Sequence, residues 1–205
     1  MAFTVVALRA EVVAALAAGD EGTTWSDALV DAALRRALQA IDQFGPTYEA
    51  THVVSVAGAT QNLAALPGLA EVTGLAWPWH ERAIFEACSV RWRSVGEAGV
   101  VQLRSALPAV GDALRVRYRK AHTLEGLDDA VTTTLPVYLR ATLALGGALY
   151  AAQLRARQAI ENPALPEATV AHLQAWTADL ERAFFVDLVA LTRTQANPVW
   201  DGAGL

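Results

Sequence analysis

Four histidines, His52, His80, His122 and His172, are where metal or acid–base chemistry would be sought first. No two stand at the spacing that sets a pair of ligands on one helix face. His80-Glu81 opens an H-E-x-x-H pattern, but Ile84 holds the second ligand's position, which excludes a zincin helix. No Gly-x-Ser-x-Gly elbow presents a serine nucleophile. The Gly19/Gly22 segment lacks the lysine and spacing of a phosphate loop, and no G-x-G-x-x-G occurs. Cys88, the one cysteine, lies in an alternating run among apolar neighbours and reads as a buried, inert thiol. The sequence therefore implies no catalytic residue, no cofactor and no metal.

The charged residues are more informative. Glu125, Asp128 and Asp129 cluster near His122, without the alternating ligands of an EF-hand. They read as a solvated or subunit-contacting loop. Arg91 and Arg93 share one strand face, and Arg115, Arg117 and Arg119 share another. If those two strands pair, five guanidinium groups stand on the outer surface of one sheet. A solvated face explains that arrangement, and so does a contact surface for a carboxylate-rich partner or for nucleic-acid phosphates. Few aromatics lie among these arginines, so stacking on single-stranded bases is not expected.

The elements that position these residues follow from periodicity. Residues 3–18 place Val5, Leu8, Val12, Ala15 and Leu16 at helical spacing, and Gly19-Asp20-Glu21-Gly22 stops the run. A second helix opens at Ser26, an N-cap, with Asp27 and Asp31 near its positive end. Trp25 is placed to fold back on Leu29 and Val30 as a staple. Leu34, Leu38 and Ile41 continue the stripe to Gly45-Pro46.

The period then changes to two. Strand-like runs cover 48–57, 69–79, 84–94, 100–104 and 114–119, with Trp92, Leu114, Val116 and Tyr118 on the inner face. Helical spacing resumes at Thr134, an N-cap with Pro136 in the first turn, and runs to Glu161. Val137, Ala141, Leu145, Ala148 and Ala152 form its stripe. Gly146-Gly147 inside it costs roughly 1 kcal/mol per glycine against alanine, which implies another backbone lying close across the pair. The last helix begins near Pro166 and carries Val170, Leu173, Trp176, Leu180, Phe184, Leu188 and Leu191 at three- and four-residue steps. The tail is extended, and Trp200 on it needs a pocket in its own subunit or a neighbour's.

The fold class is α+β. A four-helix module (residues 1–47 and 121–205) carries a small antiparallel β-sandwich or barrel (48–120) inserted between helices 2 and 3. The chain has 205 residues, is 54% apolar and carries a net charge of −5. No global basic field draws it to nucleic acid or anionic lipid. Fifteen of its sixteen basic residues are arginine. One cysteine permits no intrachain disulfide. The N-terminus lacks the basic region of a signal peptide, and no segment reaches the ~18 uncharged apolar residues of a membrane span. The high apolar content fits either a large alanine-rich core or a surface that a partner covers.

Three features together carry a resemblance: Trp25-Ser26-Asp27 opening a helix after a short first helix, a strand ending near Tyr118, and Leu135-Pro136 leading from a polar loop into a long alanine-rich helix. In this layout the chain resembles the small head-to-tail adaptor (connector) proteins of tailed bacteriophages. The resemblance implies a non-enzymatic virion structural protein, made in the host cytoplasm and sited in the neck or tail. Many copies would form a ring that contacts itself, the portal protein and tail proteins, with DNA only as cargo in the channel and no membrane. On that reading Gly146, Gly147, Glu125, Asp128 and Trp200 are candidate subunit or partner contacts. Arg91, Arg93, Arg115, Arg117 and Arg119 are the candidate polar contact face. The alternatives are another tail or neck component (tail completion or tube protein), a small-ligand-binding β module lined by Trp77, Trp79 and Trp92, or a nucleic-acid binder using the arginines.

Overall fold

The computed structural model describes residues 3–17, 25–80, 82–96, 99–104, 106–161, 166–194 and 199–200. The expected Gly19–Gly22 stop lies outside them. The chain divides into two units, Met1–Phe44 with His122–Leu191, and Gly45–Ala121 with Thr192–Leu205. The fold is α+β, four long helices and two small sheets.

The first unit is helical. Helix α1 spans Val5–Ala17 and buries Val5, Leu8, Val12 and Leu16 of the set that its spacing selects, with Ala15 half-buried. Helix α2, Asp27–Phe44, is capped as its sequence implies: the Leu29 N–H donates to Ser26 Oγ at 3.3 Å. Trp25 packs on the same apolar core. Arg9 of α1 joins the two helices, meeting Asp31 at 2.7 Å and Asp27 at 2.9 Å. The hydrogen bond to Asp31 raises the Arg9 pKa above its ordinary value.

Helix α3 departs from expectation at its start. Thr134 is not a cap; its Oγ1 accepts from the Thr123 N–H at 2.8 Å and so closes a loop. Pro136 leads into a 3-10 turn, Val137–Leu139, and α3 proper is Arg140–Glu161. Because the first turn is wound tighter, the start of the buried stripe is rotated. Val137 and Ala141 are exposed and Leu139 and Leu143 are buried in their stead, while Ala148 and Ala152 are buried as the spacing selects. Helix α4, Glu167–Thr194, buries Leu173, Phe184 and Leu188 and half-buries Trp176, Leu180 and Leu191. It is tied to α3 by the Thr142 hydroxyl donating to Asp187 at 3.0 Å and by the Tyr150–Phe184 ring pair at 6.1 Å.

The second unit is a two-sheet stack. One sheet has the order β3 (Leu69–Ala76), β6 (Ala113–Lys120), β1 (Tyr48–Val53), β7 (Val199–Trp200). The other has the order β2 (Thr60–Asn62), β5 (Val100–Arg104), β4 (Arg91–Ser94). Strands β1 and β6 are antiparallel with Tyr48 opposite Tyr118, Ala50 opposite Val116 and His52 opposite Leu114. Opposed residues share a face. That face meets Leu63, Val101 and Leu103 of the other sheet's strands and flanks in one apolar cluster. Leu114, Val116 and Tyr118 are fully buried there, and Trp92 packs partly against them.

One strand assignment is corrected. The alternating run over 84–94 is a strand only over Arg91–Ser94; residues 85–88 turn. Cys88 accordingly sits in a turn, half-buried, and its carbonyl accepts from the Trp77 N–H at 2.8 Å. A period of two in a short run does not distinguish a strand from a strap whose ends are pinned by loop hydrogen bonds.

Candidate functional site: arginines, glycines and the acidic loop

The expected five-arginine face does not form. Strand β4, with Arg91 and Arg93, pairs with β5 as an antiparallel hairpin, whereas β6, with Arg115, Arg117 and Arg119, lies between β1 and β3 in the other sheet. The Val95 N–H closes that hairpin on Val100 at 3.0 Å. A short local hairpin forms more readily than a long-range pairing, because little loop-closure entropy opposes it. Arg93 bonds Gln102 across the hairpin at 2.6 Å and 2.9 Å, and Arg91 is exposed opposite Arg104.

On β6 the arginines pair with carboxylates of the neighbouring strands. Glu49 of β1 is opposite Arg117, one step from Arg115. Its carboxylate accepts from Arg115 Nε at 3.0 Å and from Arg117 at 2.8 Å and 3.0 Å. The Glu49 and Arg115 side chains are each 6% exposed. Arg115 also bonds the Thr51 hydroxyl at 3.1 Å. Arg119 pairs with Glu71 of β3 at 2.7 Å.

The strap that follows β3 closes over this cluster. Arg115 lies 5.3 Å from the Trp79 ring centroid and Arg117 lies 4.2 Å from that of Phe85. Gly74 lets Phe85 lie flat on the sheet: a Cβ there would stand 3.1 Å from the ring. A guanidinium stacked on an aromatic and bridged to a buried carboxylate is a satisfied group. Of the three tryptophans named as a possible pocket lining, Trp77 and Trp92 pack, partly buried, against the same apolar cluster of the β unit, Trp77 with its Nε1–H donating to Asp112 at 3.1 Å, whereas Trp79 lies over Arg115.

Gly146 and Gly147 are buried in the helical unit. Side chains, rather than a backbone, approach them. A Cβ on Gly146 would meet Phe184 of α4 at 2.6 Å and Ala37 of α2 at 2.8 Å. One on Gly147 would meet Val12 of α1 at 2.8 Å and Leu34 of α2 at 3.0 Å. The pair thus lets three helices of the same chain converge on α3, and it offers no surface to another subunit.

The acidic loop is built around its backbone. The Val5 N–H donates to the Glu125 carbonyl at 2.9 Å, and the Thr133 hydroxyl donates to the Phe3 carbonyl at 2.6 Å, so the loop fastens the start of α1. Leu124 and Leu127 enter the helical core. Asp128 and Asp129 both adopt positive φ, 52° and 60°, which aspartate tolerates better than most residues. Asp128 accepts from Arg35 of α2 at 2.6 Å. His122, nearly buried, contacts Asp42 through Nδ1 at 2.6 Å, and its backbone N–H reaches the same carboxylate at 3.2 Å. Val199–Trp200 pairs parallel with Tyr48 and Glu49; the Trp200 side chain lies outside the described residues.

The residues that sequence reasoning missed are apolar. Val53 at the end of β1, Val56 on the loop after it, and Leu107 and Val110 on the loop before β6 are 62–74% exposed. The two loops are joined by Gly58 N–H to Pro108 O at 3.0 Å and Gly111 N–H to Val54 O at 2.9 Å. Their signal was legible as two stretches, 53–59 and 106–111, with no charged residue in either.

No protein-family model matches the chain, and no curated protein matches it. Among solved structures, it is similar to a chain described as the neck of an empty GTA (gene transfer agent) particle with C6 symmetry. The identity is 19%, over 85% of this chain and 88% of that one, with a TM-score of 0.29. It is also similar to a chain of the neck of a native GTA particle with C12 symmetry, at 20% identity over 86% of this chain and 93% of that one, with a TM-score of 0.26.

Proposed function

We propose that this chain is a structural protein of a phage-type neck, a head-to-tail adaptor that works as one subunit of a ring joining portal to tail. The single observation that carries the reading is where the two kinds of side chain lie. The β6 arginines, the chain's strongest polar set, are spent internally on Glu49 and Glu71. Large apolar side chains instead stand in solvent on joined loops of the β unit. A contiguous apolar surface on a folded chain marks a place that another protein covers. A ring offers each subunit two neighbours, and its contacts are heterologous, closed by rotation.

In this role DNA is cargo. The net charge of −5 and the paired arginines suit a channel wall that DNA passes without being gripped. Glu125 and Asp128 remain proposed contacts at the rim of the helical unit, since Asp128 is 61% exposed beside Arg35. The experiment is to mix the purified chain with portal-bearing capsids lacking a neck and image the product. A ring of copies at the portal vertex supports the reading. Capsids left bare, with the chain free in solution, remove it.

A further inference from the structure

The β2–β5–β4 sheet has an outer face whose charge is of one sign. Gln61, Val101 and Leu103 of this sheet are buried, so their neighbours along each strand point the other way. On β4 these are Arg91 and Arg93, and on β5 Gln102 and Arg104. The register sets Arg91 opposite Arg104 and Arg93 opposite Gln102, with Thr60 of β2 on the far side of Gln102. Opposed residues share a face, so three exposed guanidinium groups stand together. No residue of the three strands is acidic. Arg93 bonds the Gln102 amide oxygen, and among the described residues neither Arg91 nor Arg104 pairs with a carboxylate.

This is the reverse of β6, where each arginine has a carboxylate on a neighbouring strand. Like charges directly opposed across a strand pair destabilise it, and Arg91 and Arg104 are so opposed. An anion laid over the face removes that repulsion and accepts charge-assisted hydrogen bonds. The rest of the face indicates which anion. A protein partner is held chiefly by buried aromatic and apolar anchors. Here there is no aromatic residue, and half-buried Val100 is the one apolar residue. Nor does the face offer the apolar side chains that sink into a lipid boundary. Arginine, threonine and glutamine are donors to a sugar-phosphate backbone, which needs no apolar anchor. With no ring for bases to stack on, the face favours a duplex over a single strand.

We propose that Arg91, Arg93 and Arg104 form a contact for the phosphate backbone of duplex DNA, independent of base sequence. Next-but-one residues of a strand stand roughly 7 Å apart and cross-strand neighbours roughly 5 Å. Duplex DNA carries a phosphate about every 3.4 Å of axis on each strand, so each guanidinium can reach one. Three such contacts hold DNA loosely. At a slope of about 0.9 per contact, raising salt from about 50 to 200 mM weakens the binding about 40-fold. Such a contact steadies DNA without fixing it, in keeping with a chain whose net charge of −5 exerts no global pull. The contact belongs to the β unit alone and does not rest on the ring reading above.

The test uses the full chain and a short fluorescent DNA duplex of mixed sequence, with anisotropy read across a salt titration. Wild type should bind at low salt, with a slope of about −2.7 in log affinity against log salt. Arg91→Gln and Arg104→Gln should each reduce that slope by about 0.9 and the double variant by about twice as much, with circular dichroism unchanged. Arg182→Gln removes a charge from a 75% exposed site on α4 and should leave slope and affinity as they are. A wild type that fails to bind the duplex at low salt overturns the proposal. So does a slope that the β-sheet variants leave unchanged, or that Arg182→Gln reduces equally. Poly-glutamate or phosphatidylserine vesicles bound more tightly than the duplex through the same arginines overturn DNA as the occupant. None of these results bears on a ring at the portal vertex, which the capsid experiment decides.

Discussion

Replacing Gly146 with alanine sets two opposed quantities against each other. In a helix interior alanine is favoured over glycine by about 1 kcal/mol. Against this, the added Cβ would stand 2.6 Å from Phe184 Cε2 and 2.8 Å from Ala37 Cβ, both well inside contact distance. Neither neighbour can yield locally. Ala37 Cβ is fixed to the α2 backbone, and the fully buried Phe184 ring is wedged between Tyr150 at 6.1 Å and Phe185 at 5.5 Å. A helix must shift, and overpacking of a tight core costs about 1–3 kcal/mol. With two rigid partners the upper half of that range applies, so Gly146→Ala should destabilise the helical unit by about 1–2 kcal/mol net. Gly147→Ala should cost less, because Leu34 can rotate away, although β-branched Val12 cannot. Urea unfolding followed by far-UV circular dichroism measures both. A Gly146→Ala chain as stable as wild type, or more stable, would refute the packing argument.

Glu49→Ala leaves Arg115 buried without its carboxylate and should cost about 3–5 kcal/mol, with Glu49→Leu/Arg115→Leu recovering much of the loss, as measured in a double-mutant cycle. Ser26→Ala should lower stability by about 1 kcal/mol through loss of the α2 cap, checked in the same urea assay. Burial lowers the His52 pKa below its ordinary 6.5. The unfolded chain therefore takes up this proton first as pH falls, and stability present above pH 6.5 is lost below it. Melting temperatures at neutral and mildly acidic pH should differ less for His52→Gln than for wild type; equal differences would show that His52 contributes nothing.

Where one element's own spacing decides its burial, the sequence was legible. Helices α1, α2 and α4 bury or half-bury the residues their stripes select, Ser26 caps α2, and Leu114, Val116 and Tyr118 form the inner face of β6. What depended on a partner was not. The arginine face divided because pairing of β4 with β5 rather than β6 is a property of two strands, invisible in either. Glu49 was missed for the same reason: its role comes from standing opposite Arg117 in the register of β1 and β6. The glycine pair announced a close approach, but its lack of a side chain says nothing of what approaches, here Phe184, Ala37, Val12 and Leu34. The turn over 85–88 was obscured by an alternation that a strap shares with a strand. The exposed Val53, Val56, Leu107 and Val110 were passed over because apolar residues beside strands read as core until their neighbours are placed.

The most direct test of the adaptor account is an image of the portal vertex of a particle carrying this chain. The account predicts a closed ring of copies between portal and tail. A vertex that assembles and joins its tail without this chain, or that holds it as isolated single copies, would contradict it.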